Sequence, residues 1–145
     1  MGTSKIYLDN CCYNRPFDNQ AQMRVRLETE AKLYIQASVR EGNNSLCWSF
    51  MLDYENAKNP YEEKRVVIAP WKKIAHDFCP PSEVVLVRAK EIMKYGVRNG
   101  DALHIACAME RHCEYFITTD KNLTNKIIEG IIIINPIDFI RKTED

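Results

Sequence analysis

The chain has 145 residues, 46% hydrophobic and 28% charged, a length and mix that suit one domain with a sizeable core. Lys plus Arg number 20 and Asp plus Glu number 20, so no whole-protein field announces a polyanionic partner, and a sequence-blind duplex binder of the histone type is disfavoured. The six cysteines, Cys11, Cys12, Cys47, Cys79, Cys107 and Cys113, form no C-x-x-C pair, which argues against a zinc ribbon or a thioredoxin-like motif.

"KIYLD" (5–9) is a short apolar run with polar borders and reads as a buried strand. "NCCYNRPFDNQ" follows as a loop or short turn, with Pro16 and several Asn and Asp residues. A helix is expected from about Gln20 to Glu41, its apolar stripe carried by Val25, Leu27, Ala31, Leu33, Tyr34, Ala37 and Ser38, with Gly42 as its stop. "SLCWS" (45–49) is a second strand, and "FMLDYENAKN" a helix ending before Pro60. "PYEEKRVVIAPWKKIA" starts with a helix-favouring Pro and acids in the first turn, and Pro70 kinks or breaks it. "HDFCPP" is a candidate strand. The helix over 82–96 has Ser82 as N-cap and Gly96 as terminator. "DALHIACAMERH" is a helix, "YFITTD" a strand, "KNLTNKII" a short helix, "IIIIN" a strand and "PIDFIRKTE" a last helix. Strands alternating with helices predict an α/β, three-layer fold with a mainly parallel central sheet and helices on both faces. A single domain is expected over 1–145, its core about 5–140. No h-region precedes the first strand and no apolar run approaches a membrane span, so a cytoplasmic protein with free thiols is expected.

Two strands run into aspartates, Asp9 and Asp120. In an open parallel sheet, ligands bind beyond the carboxyl ends of the strands, so both carboxylates emerge at one edge. Carboxylates brought together repel and call for a cation or a raised pKa. The plain alternative is that each caps the following helix. Asp101 opens a helix and admits the same two readings. Asp53 and Glu55 lie beyond the second strand. Residues two apart on a helix do not share a face, so at most one of them points at the cluster, and the residues alone do not choose.

"YLDNC", "SFMLDYEN", "GDALHIACA" and "FITTDKNL" together resemble the PIN-domain nucleases, over nearly the whole chain from Lys5 to about Ile140, and most closely the single-domain toxins of the VapC type. The resemblance selects Glu55, six residues after Ser49, and implies an acidic pocket of Asp9, Glu55, Asp101 and Asp120 as catalytic residues and metal ligands. Asn10 stands where the family more often has a small hydroxyl residue, and Thr119 matches a hydroxyl beside the last acid; both are supporting candidates. Clustered carboxylates without histidine ligands suit Mg²⁺ or Mn²⁺. A cation there activates water, orients in-line attack and offsets charge on the leaving oxygen, and the resemblance implies a 5′-phosphate product. Asp101 or Asp120 is the candidate to orient the water.

Arg15, Arg98 and Lys121 adjoin the motifs and are the candidate RNA phosphate contacts. Tyr13 and Phe17 are candidates to stack an unpaired base, with packing as the alternative for Phe17. His104, one turn beyond Asp101, either reaches the pocket edge or is a hydrogen-bonded structural residue. The resemblance implies an RNA substrate, a small antitoxin partner that covers the pocket, and a homodimer, with the 20–41 helix or "VVIAPW" as interface candidates. The competing reading is a catalytically silent PIN-like binding module. A phosphoacceptor receiver domain fits worse, because "LDN" offers one acid where a pair is needed.

Overall fold

The computed structural model describes residues 3–144; Met1, Gly2 and Asp145, the ends of the expected 1–145 domain, lie outside the described residues. Five strands, β1 (Ser4–Leu8), β2 (Asn44–Ser49), β3 (Asp77–Cys79), β4 (Tyr115–Ile117) and β5 (Ile132–Ile134), form one sheet in the order β3-β2-β1-β4-β5. Every pairing within it is parallel. The order reverses direction around β1, which puts the carboxyl ends of β1 and β4 side by side, with Leu8 opposite Ile117. Such a switch point opens a crevice at the strand ends.

Alternation along the strands sorts their side chains between two faces. Tyr7, Cys47, Ser49, Cys79 and Phe116 share one face by register; the helix α7 (Asn99–Glu110) covers it, and α6 (Glu83–Met93) packs against α7. Tyr7 stacks on Phe116 there. Leu8, Trp48 and Tyr115 face the other side, beneath α1 (Asn10–Asn14), α2 (Met23–Arg40) and α9 (Pro136–Glu144), where Tyr13 meets Trp48 and Phe139 meets Tyr115 edge to face. The remaining helices are α3 (Phe50–Ala57), α4 (Glu62–Ile68), α5 (Trp71–Ile74) and α8 (Lys121–Thr124). Sheet-facing residues of both helix layers are fully buried, so the expected three-layer α/β architecture holds. Among the described residues no helix is long and apolar enough to cross a membrane. The cysteines are free, and all but Cys11 are buried.

Three local expectations need correction. The segment after Asp9 is not a loop: Asp9 accepts the Asn10 N–H as N-cap, so α1 starts at once and leads into a 3₁₀ turn at Arg15–Phe17. β4 stops at Ile117, so Asp120 lies three residues beyond the strand. The buried face of α2 is also not the expected stripe. Leu27, Leu33 and Tyr34 are exposed, whereas Glu28, Lys32 and Gln36 are buried at helical spacing. Glu28 is fully buried because Arg15 Nη2 donates to it at 2.8 Å, Arg24 Nε at 3.2 Å, and the Asn135 amide also donates. Hydropathy ranks residue types and does not register such partners. Pro70 separates α4 from α5 as expected.

Candidate active site

Asp9 leaves the end of β1 with its backbone N–H bonded to the Ile117 carbonyl, which locks it against β4. One carboxylate oxygen accepts from the Asn10 N–H at 2.8 Å, the other from the Thr118 hydroxyl at 2.9 Å. The Thr118 hydroxyl also accepts the Asp120 N–H at 3.1 Å, so one buried side chain ties the first acid to the backbone of the last. The Cys11 thiol borders both Asp9 and Thr118. Thr119, the expected supporting hydroxyl, instead meets Arg24 through its carbonyl and Cys11 through its N–H. Asp120 caps α8 by accepting the Asn122 N–H at 2.9 Å. Capping and clustering therefore coexist, because each carboxylate has two oxygens.

Asp101 stands in the first turn of α7 and lines a cavity of about 410 Å³ with Asp120, Arg98, Asn122 and Lys126. Burial raises its pKa first, the Asp9 and Asp120 carboxylates raise it further, and Glu55 adds to them against an opposing effect of His104. Four acids thus share one electrostatic environment. Asp53 takes no part: it accepts from Trp48 Nε1 at 2.8 Å and from Lys72 at 2.9 Å. Glu55, on the other side of α3, points inward. Its Oε2 accepts from the Asn10 amide at 3.3 Å, and its Oε1 bonds to His104 Nε2. Asn10 thereby joins the first two acids despite departing from the family pattern.

His104 is buried, and a chain of hydrogen bonds runs behind it. Its Nδ1 meets the Tyr7 hydroxyl at 2.6 Å, and that hydroxyl meets Ser49 Oγ at 2.6 Å. Ser49 in turn accepts the Leu52 N–H and caps α3. Burial disfavours protonation of His104, but the Glu55 hydrogen bond and the Asp9, Glu55 and Asp101 charges outweigh it and raise its pKa.

The donor set is anionic oxygen only, the chemistry that Mg²⁺ and Mn²⁺ accept. Among the described residues, no three His, Cys, Asp or Glu side chains stand together closely enough to hold an ion, and Glu55 is turned toward His104. The set therefore matches a hard cation in chemistry and in shared field, while none of its trios stands close enough to hold one as the side chains lie.

Arg98 borders the acids as expected, and Lys121 is exposed in α8. Arg15 does not reach the site; its guanidinium is held by Glu28 and Asp18. Tyr13 is buried against Trp48 and offers no face to a base. Lys126, which sequence reasoning passed over, lines the cavity beside Gly96. Thr118 was likewise passed over in favour of its neighbour.

No curated protein matches the chain. A family model described as the PIN domain matches residues 18–127, a span that holds Glu55, Asp101 and Asp120 and begins after Asp9. Among solved structures, the chain is similar to the crystal structure of VapBC2 from Rickettsia felis bound to a DNA fragment from their promoter. The TM-score is 0.58 at 14% identity, over 90% of this chain and 98% of that chain, a likeness of fold. With the model covering most of its length, the chain belongs to the PIN domain family.

Proposed function

We propose that this chain is a metal-dependent endoribonuclease, the toxin component of a toxin–antitoxin pair. The observation that carries the reading is the shared field of Asp9, Glu55, Asp101 and Asp120 at the β1–β4 edge. The fold likeness to a VapBC assembly supports the toxin assignment.

Asp9, Glu55, Asp101 and Asp120 are the residues that would hold Mg²⁺ or Mn²⁺, which supplies Lewis-acid activation of water and offsets charge on the leaving oxygen. Asp9 is already oriented by Thr118 and by the backbone of Asn10. Asn10 and His104 hold the two oxygens of Glu55. Asp120 gives one oxygen to the cap of α8. Asp101 meets no hydrogen-bond donor among the described residues, so it is the acid free to orient the attacking water. Arg98 and Lys126 border the cavity and, with Lys121, take the RNA phosphates. The exposed Leu27, Leu33, Tyr34, Val66 and Val67 are the faces offered to an antitoxin or to a second copy in a homodimer, in a cytoplasmic setting.

The bond between Glu55 and His104 favours a second reading, a catalytically silent module that binds nucleic acid or protein. Purified protein incubated with RNA and Mn²⁺ separates the two. Metal-dependent cleavage that Asp9→Asn abolishes, with the fold intact by circular dichroism, supports the nuclease. Full activity in Asp9→Asn sinks the mechanism, and an inert wild type that still retains RNA supports the silent module.

A further inference from the structure

On the sheet face opposite α7, the buried polar side of α2 does not end at Glu28. Lys32 and Gln36 continue it at intervals of four residues, the exposed Arg40 follows at the same spacing, and all three line a cavity of about 430 Å³. Tyr13, Phe17 and Trp71 supply its aromatic walls. Among the described residues no Asp or Glu lines it.

Lys32 is only 5% exposed, and its ammonium meets no carboxylate among the described residues. Its Nζ lies 5.9 Å from the centroid of the Tyr13 ring. Glu28, one turn earlier, is taken by Arg15 and Arg24. Burial, opposed only by Cys12, pulls the Lys32 pKa down to about 8. Two further groups in this wall, Tyr13 Oη and Gln36 Nε2, are buried without a hydrogen-bond partner. Buried groups of these kinds are costly when left unpaired, and two on one wall beside the Lys32 ammonium point to a ligand that supplies acceptors. Arg40 adds a second cation, its guanidinium carbon 4.8 Å from the Trp71 ring centroid.

We propose that this cavity is a binding site for a small organic anion, a carboxylate or phosphate on a flat apolar body. The anionic group takes the Lys32 ammonium and the Gln36 amide, and the body lies between Phe17 and Trp71. The site is separate from the acidic edge and does not depend on the nuclease reading.

Isothermal titration of the full chain with benzoate, phenyl phosphate, benzyl alcohol and inorganic phosphate tests it, with ¹H–¹⁵N spectra to locate binding. At least one of the two ring-bearing anions binds saturably and shifts the Lys32 and Gln36 amides and the Trp71 indole; which of them binds tighter tells carboxylate from phosphate. Benzyl alcohol and inorganic phosphate each bind about tenfold more weakly or worse, because each lacks half of the recognition. Lys32→Met, which keeps the apolar stem, lowers affinity for the better anion by about tenfold. Asp9→Asn leaves that affinity unchanged. Absence of saturable binding by both anions at millimolar concentration overturns the proposal. So does benzyl alcohol binding as tightly as benzoate, or wild-type affinity in Lys32→Met. Should Lys32→Met not fold, the comparison of benzoate with benzyl alcohol on the wild type decides alone.

Discussion

Replacing Thr118 by Val keeps the shape of a fully buried side chain and removes only its hydroxyl. Three bonds go with it: the one donated to the Asp9 carboxylate at 2.9 Å, the one accepted from the Asp120 N–H at 3.1 Å and a weak one shared with the Cys11 thiol at 3.4 Å. A hydrogen bond to a charged group contributes about 1.5–3 kcal/mol, and a partly buried N–H left unpaired costs about 1 kcal/mol more. Thr118→Val should therefore destabilise the fold by roughly 2–4 kcal/mol. With 145 residues the unfolding entropy is about 0.3 kcal/mol per degree, so Tm falls by roughly 7–13 °C. Urea melts followed by circular dichroism measure this. A double-mutant cycle with Asp9→Ala isolates the pair, because the Asp120 N–H term is common to both backgrounds. The expected coupling is at least about 1 kcal/mol. A loss below about 0.5 kcal/mol in Thr118→Val, or zero coupling with Asp9, refutes the claim that Thr118 holds the first acid in place.

Asp101 has its pKa raised by burial and then by Asp9 and Asp120, so the native state binds its proton more tightly than the unfolded state does. Stability should then fall as pH rises from the ordinary carboxylate value through the raised one. Asp77 slopes the other way: burial opposes its ionisation, but hydrogen bonds from Arg111 and Lys5 outweigh that and hold it at about 2. The observable is therefore the difference between wild type and Asp101→Asn, measured by denaturant melts from pH 3 to 7 (roughly the span of these groups). The variant should gain on the wild type as pH rises, and a difference that is flat with pH contradicts the shared field. Glu28→Gln, which leaves Arg15 and Arg24 without their buried charge, should cost about 3 kcal/mol in a urea melt, discounted from the full buried-pair value because both guanidiniums reach solvent. A loss under about 1 kcal/mol would mean that solvent replaces the carboxylate freely.

The layered fold was legible because its strands are short apolar runs with clear borders, and because parallel order brings strand ends together without any knowledge of contacts. Asp9 and Asp120 followed from that rule, whereas Asp101, at the start of a helix, was joined to them by the resemblance. Glu55 did not follow from it either. Residue types alone left it level with Asp53, and only the resemblance chose it; in the structure the indole of Trp48 and the ammonium of Lys72 draw Asp53 away. Thr119 was chosen over Thr118 because the resemblance points to a hydroxyl beside the last acid; in the structure it is the Thr118 hydroxyl that bonds Asp9 and the Asp120 N–H. The buried face of α2 was hidden for another reason. Glu28 is satisfied by Asn135, 107 residues away, a pairing no local window holds.

A contrast among the acids explains why the edge remains chemically open. Away from it, Glu28 is met by two arginines, Asp77 by Lys5 and Arg111, and Asp53 by Lys72. At the edge, the bonds to the carboxylates come from Asn10, Thr118, Cys11, the Asn122 backbone and His104. Among the described residues, no Lys or Arg bonds to any of the four. Neutral donors orient a carboxylate without cancelling its charge, and His104 alone among these partners can offset part of it. The elements that converge at β1 and β4 therefore position negative charge more than they neutralise it. Balance must come from protons, as the raised pKa of Asp101 records, or from a cation. Protonation and cation binding compete for the same oxygens, so Mn²⁺ should stabilise this fold more at neutral pH than under acid conditions.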